Sequence, residues 1–229
     1  MHNSINSLTL NYKVLLMKAN QTSNDTLQDL QAIRNIMENS ARFISLSGLS
    51  GIWAGLTALA GAGVAYVRIG HYYDAYNSRG HFSAESFDAL QANLLLLALV
   101  ILAVALTGGI FFTWTKVKQQ GGKLWNMASR KMLVNLMLPL MTGGIFILGL
   151  LYHHIWFPAA PACLVFYGLA LLNASKYTLH DIRYLGVLEI ALGLTALFFP
   201  ACSLYFWAAG FGVLHIVYGL IMWLKYDRK

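Results

Sequence analysis

Two side chains in this 229-residue chain stand where charge is costly, Glu189 and His215. Both fall inside long apolar stretches, where a carboxylate or an imidazole needs a partner. On a helix, Glu189 shares a face with Gly186, Ile190 and Gly193, and His215 shares one with Gly212 and Gly219. A short turn at Phe199-Pro200-Ala201-Cys202-Ser203 joins the two stretches. They are therefore expected to run antiparallel and pack together. Counted from the same end at 1.5 Å per residue, Glu189 lies roughly 10 Å deep and His215 roughly 13 Å. The two should face each other or share one polar cluster. Such a pair does one of two things. It specifies which helices pack, as a buried hydrogen-bonded contact, or it titrates as a unit and serves as a proton relay or pH switch. Two ligands are too few for a metal, and His153 and His154 fall at the opposite end, so neither metal nor cofactor is expected.

A second polar group lies nearby in sequence. Asn173, Lys176, Tyr177 and His180 are spaced i, i+3, i+4 and i+7, one helical face, and Asp181 and Arg183 follow. With Tyr218 they are candidates for a polar vestibule leading to Glu189. The plainer reading is an interfacial belt of Lys, Tyr and Arg. A third group, Lys116, Lys118, Lys123, Arg130 and Lys131, forms a loop without an acid. It would fix orientation and rest against anionic headgroups, or dock a cytosolic protein. No catalytic residue can be assigned: P-loop, HExxH, GxSxG and CxxC patterns are all missing.

The elements that position these residues follow from composition. At 58% hydrophobic and 11% charged the chain is far from the roughly 25% charged of soluble domains. Two cysteines, Cys163 and Cys202, are too few for a disulfide scaffold and read as free thiols. Stretches without Asp, Glu, Lys or Arg predict six membrane spans, at about 43–67, 91–115, 132–152, 156–175, 183–200 and 204–224. Of the 16 Lys and Arg, all but Arg68 and Arg79 fall on the face that carries both termini. The positive-inside rule then places both termini in the cytoplasm of a multi-pass inner-membrane protein. The same bias accounts for the +7 net charge without nucleic acid.

The ends and loops carry further expectations. Residues 1–20 lack the apolar core and cleavage site of a secretory signal. Residues 1–42 form a cytoplasmic segment in which about 25–41 has the periodicity of an amphipathic helix, suited to a membrane surface, the basic loop or a cytosolic partner. On the outer face, Arg68 to Asp88 reads as a long loop with His71, Tyr72, Tyr73, Tyr76 and Phe82 as interfacial anchors. Ser83 can cap the next helix, with Glu85 and Asp88 in its early turns.

Internal similarity suggests duplication. GLSGIWAGLTAL from Gly48 and GVLEIALGLTAL from Gly186 coincide at seven of twelve positions, and TGGIF occurs at both Thr107 and Thr142. The simplest architecture is three consecutive helical hairpins, with Gly51-x-x-x-Gly55, the two Gly-Gly pairs, Gly186 and Gly193 as close-packing points. The final hairpin, LGVLEIALGLTALFFPACSLYFWAAGFGVLHIVYGLIMW, resembles the hairpin unit of HdeD-like six-helix membrane proteins. That resemblance implies a compact inner-membrane bundle linked to stress or acid response and assigns no catalytic residue.

The sequence thus predicts an all-α integral membrane bundle of six spans with a cytoplasmic amphipathic N-terminal helix. The leading expectation for function is a non-enzymatic sensor or accessory component, linked to stress or pH. A small proton-coupled carrier or channel using the Glu-His cluster is the alternative, and a membrane-embedded enzyme the third. The partners expected are the lipid bilayer, anionic lipid or a cytosolic protein, and a second copy of the chain.

Overall fold

The computed structural model describes residues 47–81, 83–121 and 124–228. The expected amphipathic helix at 25–41, the first residues of the 43–67 span, Phe82 and Lys123 lie outside the described residues. Among those described, every regular element is helical. The helices are α1 Gly48–Arg79, α2 Ala84–Gln119, α3 Met127–Tyr152, α4 Ala159–Ala174 with a 3-10 turn Ser175–Tyr177, α5 Ile182–Ala196, and α6 Pro200–Asp227. Within α6, the stretches Ala208–Leu214 and Trp223–Asp227 are π-helical. Five helices are long and apolar enough to cross a membrane: α1, α2, α3, α4 with its 3-10 turn, and α6. At 15 residues, α5 extends only roughly 22 Å.

The expected long loop from Arg68 to Asp88 is corrected by the structure. α1 continues for 32 residues, roughly 48 Å, and ends only at Gly80, whose φ of 69° reverses the chain. No proline interrupts Arg68 to Arg79, so the aromatic cluster rides on a helix and not on a loop. Tyr72 packs on Tyr73 at 5.8 Å between centroids and reaches Phe87 on α2 at 5.9 Å. The connection is only residues 80–83. Ser83 caps α2 by accepting the Ser86 N–H at 3.4 Å, with Glu85 in the first turn.

The basic loop is shorter than expected as well. α3 begins at Met127 because Asn126 and Ser129 form a reciprocal capping box. Asn126 accepts the Ser129 N–H at 2.8 Å, and Ser129 Oγ accepts the Asn126 N–H at 2.9 Å.

Packing departs from three equal hairpins. α1 pairs with α2 and α3 with α4, but the main neighbour of α5 is α4 and that of α6 is α1. Glycine placement explains this. An added Cβ at Gly219 would sit 2.5 Å from the backbone N of Ile52, and one at Gly55 would sit 2.6 Å from the carbonyl of Gly212. One at Gly168 would sit 2.5 Å from the carbonyl of Gly186. Backbones that close require small residues on both helices, and the glycines select α1 against α6 and α4 against α5. The two TGGIF motifs behave alike. Gly108 leaves room for the Trp53 indole and Gly143 for the Phe166 ring, whereas Gly109 and Gly144 face open space.

The end of the molecule where α1 begins and α6 finishes is tied by ions. Asp227 accepts the Gly48 N–H at 2.9 Å and pairs with Lys116 at 2.5 Å. Asp181, in the turn before α5, accepts from Lys225 at 2.8 Å and from Tyr226 at 3.0 Å. These bonds hold α5 and α6 together at that end of the molecule. Cys163 and Cys202 are free.

Candidate functional site

The site lies where α4, α5 and α6 meet. On α5, Glu189 belongs to the stripe Gly186, Glu189, Gly193, all buried, because α4 comes close enough at Gly168 to cover it. Glu189 is fully buried, at 0% exposure. On α6, the wider π-helical turn Ala208–Leu214 immediately precedes His215. Its Gly210 presents a bare Cα to the carboxylate: a Cβ there would lie 2.5 Å from Glu189 Oε2.

The imidazole of His215 has three polar neighbours. Nε2 lies 2.7 Å from the Tyr167 hydroxyl, Nδ1 lies 3.0 Å from the Gly210 carbonyl, and Nδ1 lies 3.4 Å from Glu189 Oε1. A carbonyl only accepts, so Nδ1 must carry a proton. In the neutral ring Nε2 then accepts from the Tyr167 hydroxyl; in the imidazolium it donates to it. Either form satisfies both nitrogens. The carboxylate is different, since neither of its oxygens has a hydrogen-bond partner. A bare carboxylate without water costs several kcal/mol, so its charge is tenable only beside an imidazolium, and otherwise the group holds a proton.

The wall around this pair is aromatic. Phe211 stacks on His215 at 5.9 Å and 23°, Tyr167 packs on Phe211 at 5.0 Å, and Trp207 extends the cluster at 5.1 Å from Phe211. From α1, Gly51 approaches the backbone of His215: an added Cβ would lie 3.3 Å from its carbonyl. Gly51 occupies the repeat position equivalent to Glu189. His215 is thus flanked by the same position of both sequence repeats, empty in one and carboxylate in the other. Among the described residues no other hydrogen bond or ion pair reaches either side chain.

Of the residues singled out from sequence, the structure brings together Glu189 and His215 and leaves the rest elsewhere. Asn173 does not join them. Its amide donates at 2.9 Å to the carbonyl of Asn135, four residues before Pro139 in α3. Proline has no N–H to bond that carbonyl, and Asn173 replaces the missing donor. Lys176 and His180 are exposed and Tyr177 is half-buried. Tyr218 packs against the apolar cluster of Leu171, Leu179, Ile182, Leu185 and Met222. The proposed vestibule is therefore not assembled, because the α-helix ends at Ala174 and its 3-10 turn at Tyr177, so the four residues do not share one helical face.

The basic group is also divided. Lys116 is consumed by Asp227 and Lys118 lies over the Trp114 ring at 5.5 Å, while Arg130 and Lys131 are exposed. Lys116 consequently ties helices together and is not available to headgroups. Sequence reasoning missed Tyr167, a tyrosine inside an apolar run that only the fold brings to His215. It also missed Asp227 and the pairing role of Asp181. The Lys225 ammonium beside Asp181 is the main influence holding its carboxyl below the usual value, with Tyr226 adding a second hydrogen bond. Among the described residues no group of three or more His, Cys, Asp or Glu is placed to hold a metal ion.

The chain matches no family model, no curated protein and no solved structure.

Proposed function

We propose that this chain is a multi-pass membrane sensor or accessory protein in which the Glu189 and His215 pair is the proton-responsive element. The observation that carries this reading is the fully buried Glu189 carboxylate, without a hydrogen bond, 3.4 Å from His215 Nδ1. Proton uptake or release by that unit changes the charge inside a glycine-lined junction of α4, α5 and α6, and so changes how the three helices pack. Among the described residues Tyr167 is the only other titratable side chain hydrogen-bonded to the pair. Six spans with both termini in the cytoplasm fit this reading, α5 crossing between the turn at Asp181 and the turn at Pro200. The resemblance of the last hairpin to HdeD-like proteins agrees with a response to acid or stress.

The carrier alternative needs a path for solute beside the pair. Two grooves of about 500 and 490 Å³ are lined by other residues, and neither includes Glu189 or His215.

The test uses the full chain in liposomes with tryptophan fluorescence, dominated near the site by Trp207, followed across pH. The wild type changes signal with pH. Glu189→Gln loses the change while keeping its helical circular dichroism and melting transition. A Glu189→Gln protein with the wild-type pH response overturns the proposal, and pH-driven solute flux lost in the same variant would move the assignment to a carrier.

A further inference from the structure

The outer groove between α3 and α4 is not part of the Glu189 site. It measures about 500 Å³ and is open along its length, walled by Leu138, Pro139 and Thr142 from α3 and by Phe166, Leu169 and Leu172 from α4. Lys176 closes its end near the α4 to α5 turn. Pro139 has a part in forming the groove: the helix lacks one internal hydrogen bond there, and Asn173 pins the two helices together at Asn135, the end nearest the lysine.

A second cation lies at the same mouth. Lys131 precedes Leu138 by seven residues, two helical turns, and so falls on the stripe of α3 that lines the groove. Asn135 and Asn173 mark equal height on the two helices, and each lysine lies one turn beyond its asparagine toward the same end. Both lysines are exposed, and among the described residues neither has an ion-pair partner. An apolar trough on the outside of membrane-length helices, ending in two unpaired cations at interfacial height, matches the chemistry of a phospholipid: acyl chain in the trough, anionic headgroup on the ammonium groups.

We propose that the α3 and α4 groove is a binding site for an anionic phospholipid, with Lys131 and Lys176 holding the headgroup phosphate and the Leu138, Phe166 and Leu169 wall holding one acyl chain. The site stands apart from the Glu189 reading and does not depend on it.

The experiment measures lipid retained on the full chain in detergent by native mass spectrometry, with phosphatidylglycerol and phosphatidylcholine of identical chains as probes. Wild-type protein retains the anionic lipid in preference to the neutral one. Each lysine near a headgroup favours binding by about fivefold, so Lys131→Ala with Lys176→Ala should reduce that preference by about twenty-five-fold. Leu169→Trp fills the trough and should weaken both lipids alike. Lys118→Ala, on α2 and already over Trp114, should leave the preference unchanged. Matching melting transitions establish that the variants are folded.

Equal retention of the two lipids by the wild type, or an unchanged preference in the double variant, overturns the proposal. A photoreactive residue at position 169 provides the second arm. Cross-links to lipid support the site, and cross-links to residues 1–46 of the chain itself contradict it.

Discussion

The side-chain amide of Asn173 donates to the carbonyl of Asn135, the group that Pro139 leaves without a helical partner. A residue that looked from its spacing like part of a polar vestibule is a repair to the backbone of the neighbouring helix. Asn173→Ala should therefore lower stability by about 1 to 2 kcal/mol, the cost of a buried acceptor left unmade. In a Pro139→Ala background the restored N–H takes the Asn135 carbonyl, and the same substitution should cost close to nothing. A double-mutant cycle read by thermal unfolding decides it; additive effects would mean that the two positions are not linked.

The glycines divide into those that touch backbone and those that touch nothing. At Gly219 a Cβ meets the Ile52 nitrogen at 2.5 Å and the Gly48 carbonyl at 2.7 Å, so Gly219→Ala must push α6 from α1. A loss of about 1 to 3 kcal/mol is expected, as for overpacked cores. At Gly109 nothing lies within 4 Å, and Gly109→Ala should be neutral or gain up to about 1 kcal/mol of helix propensity. Unfolding in detergent compares the two, and equal effects would refute the α1 and α6 seam.

Asp181 makes the ion tie between the α4 to α5 turn and the end of α6 pH-dependent. Its carboxyl is held below the usual value chiefly by Lys225. A lowered folded value means that the stabilisation is complete above the unfolded-state carboxylate range and disappears as acid protonates the group below it. Asp181→Asn should thus lower the melting temperature slightly at neutral pH, and the difference should vanish once acid protonates the carboxyl in the folded state as well. Because Lys225 is half exposed, at 53%, the effect should shrink in high salt. An acid-insensitive difference between wild type and variant would contradict the tie.

Gly210 and Glu189 occupy one space. A Cβ at residue 210 would stand 2.5 Å from both Glu189 Oε2 and Leu164 Cδ2. Gly210→Ala should destabilise the wild type and be better tolerated when Glu189→Ala vacates the position, with a coupling of about 1 kcal/mol or more. The cycle is measured by unfolding in detergent. No coupling would mean that the carboxylate does not rest on Gly210.

Sequence and structure agree where one periodicity decides the outcome. The stripe Gly186, Glu189, Gly193 and the stripe Gly212, His215, Gly219 were legible because a 3.6-residue period and a costly buried carboxylate leave few solutions. The helical continuation from Arg68 to Arg79 was not, since aromatic and charged residues outside a bilayer suit a loop and a protruding helix equally. The partner choice of α5 and α6 was hidden for another reason. A short Pro turn brings two helices near, but which helix packs on which is settled by backbone approach at Gly168, Gly186 and Gly219, visible only in three dimensions. Tyr167 was missed because a tyrosine in an apolar run has no spacing signature of its own. Its hydrogen bond to His215 comes from a contact 48 residues apart in sequence.

The direct measurement of the central claim is infrared difference spectroscopy of the full chain in liposomes, stepped between about pH 5 and 8, where histidine-linked charge changes fall. The account predicts a protonated-carboxyl carbonyl band that varies with pH in the wild type and is lost in Glu189→Gln. In Tyr167→Phe it should move while surviving. A spectrum in which no pH-dependent carboxyl band separates wild type from Glu189→Gln would contradict the account, because Glu189 would then hold a fixed protonation state and serve packing alone.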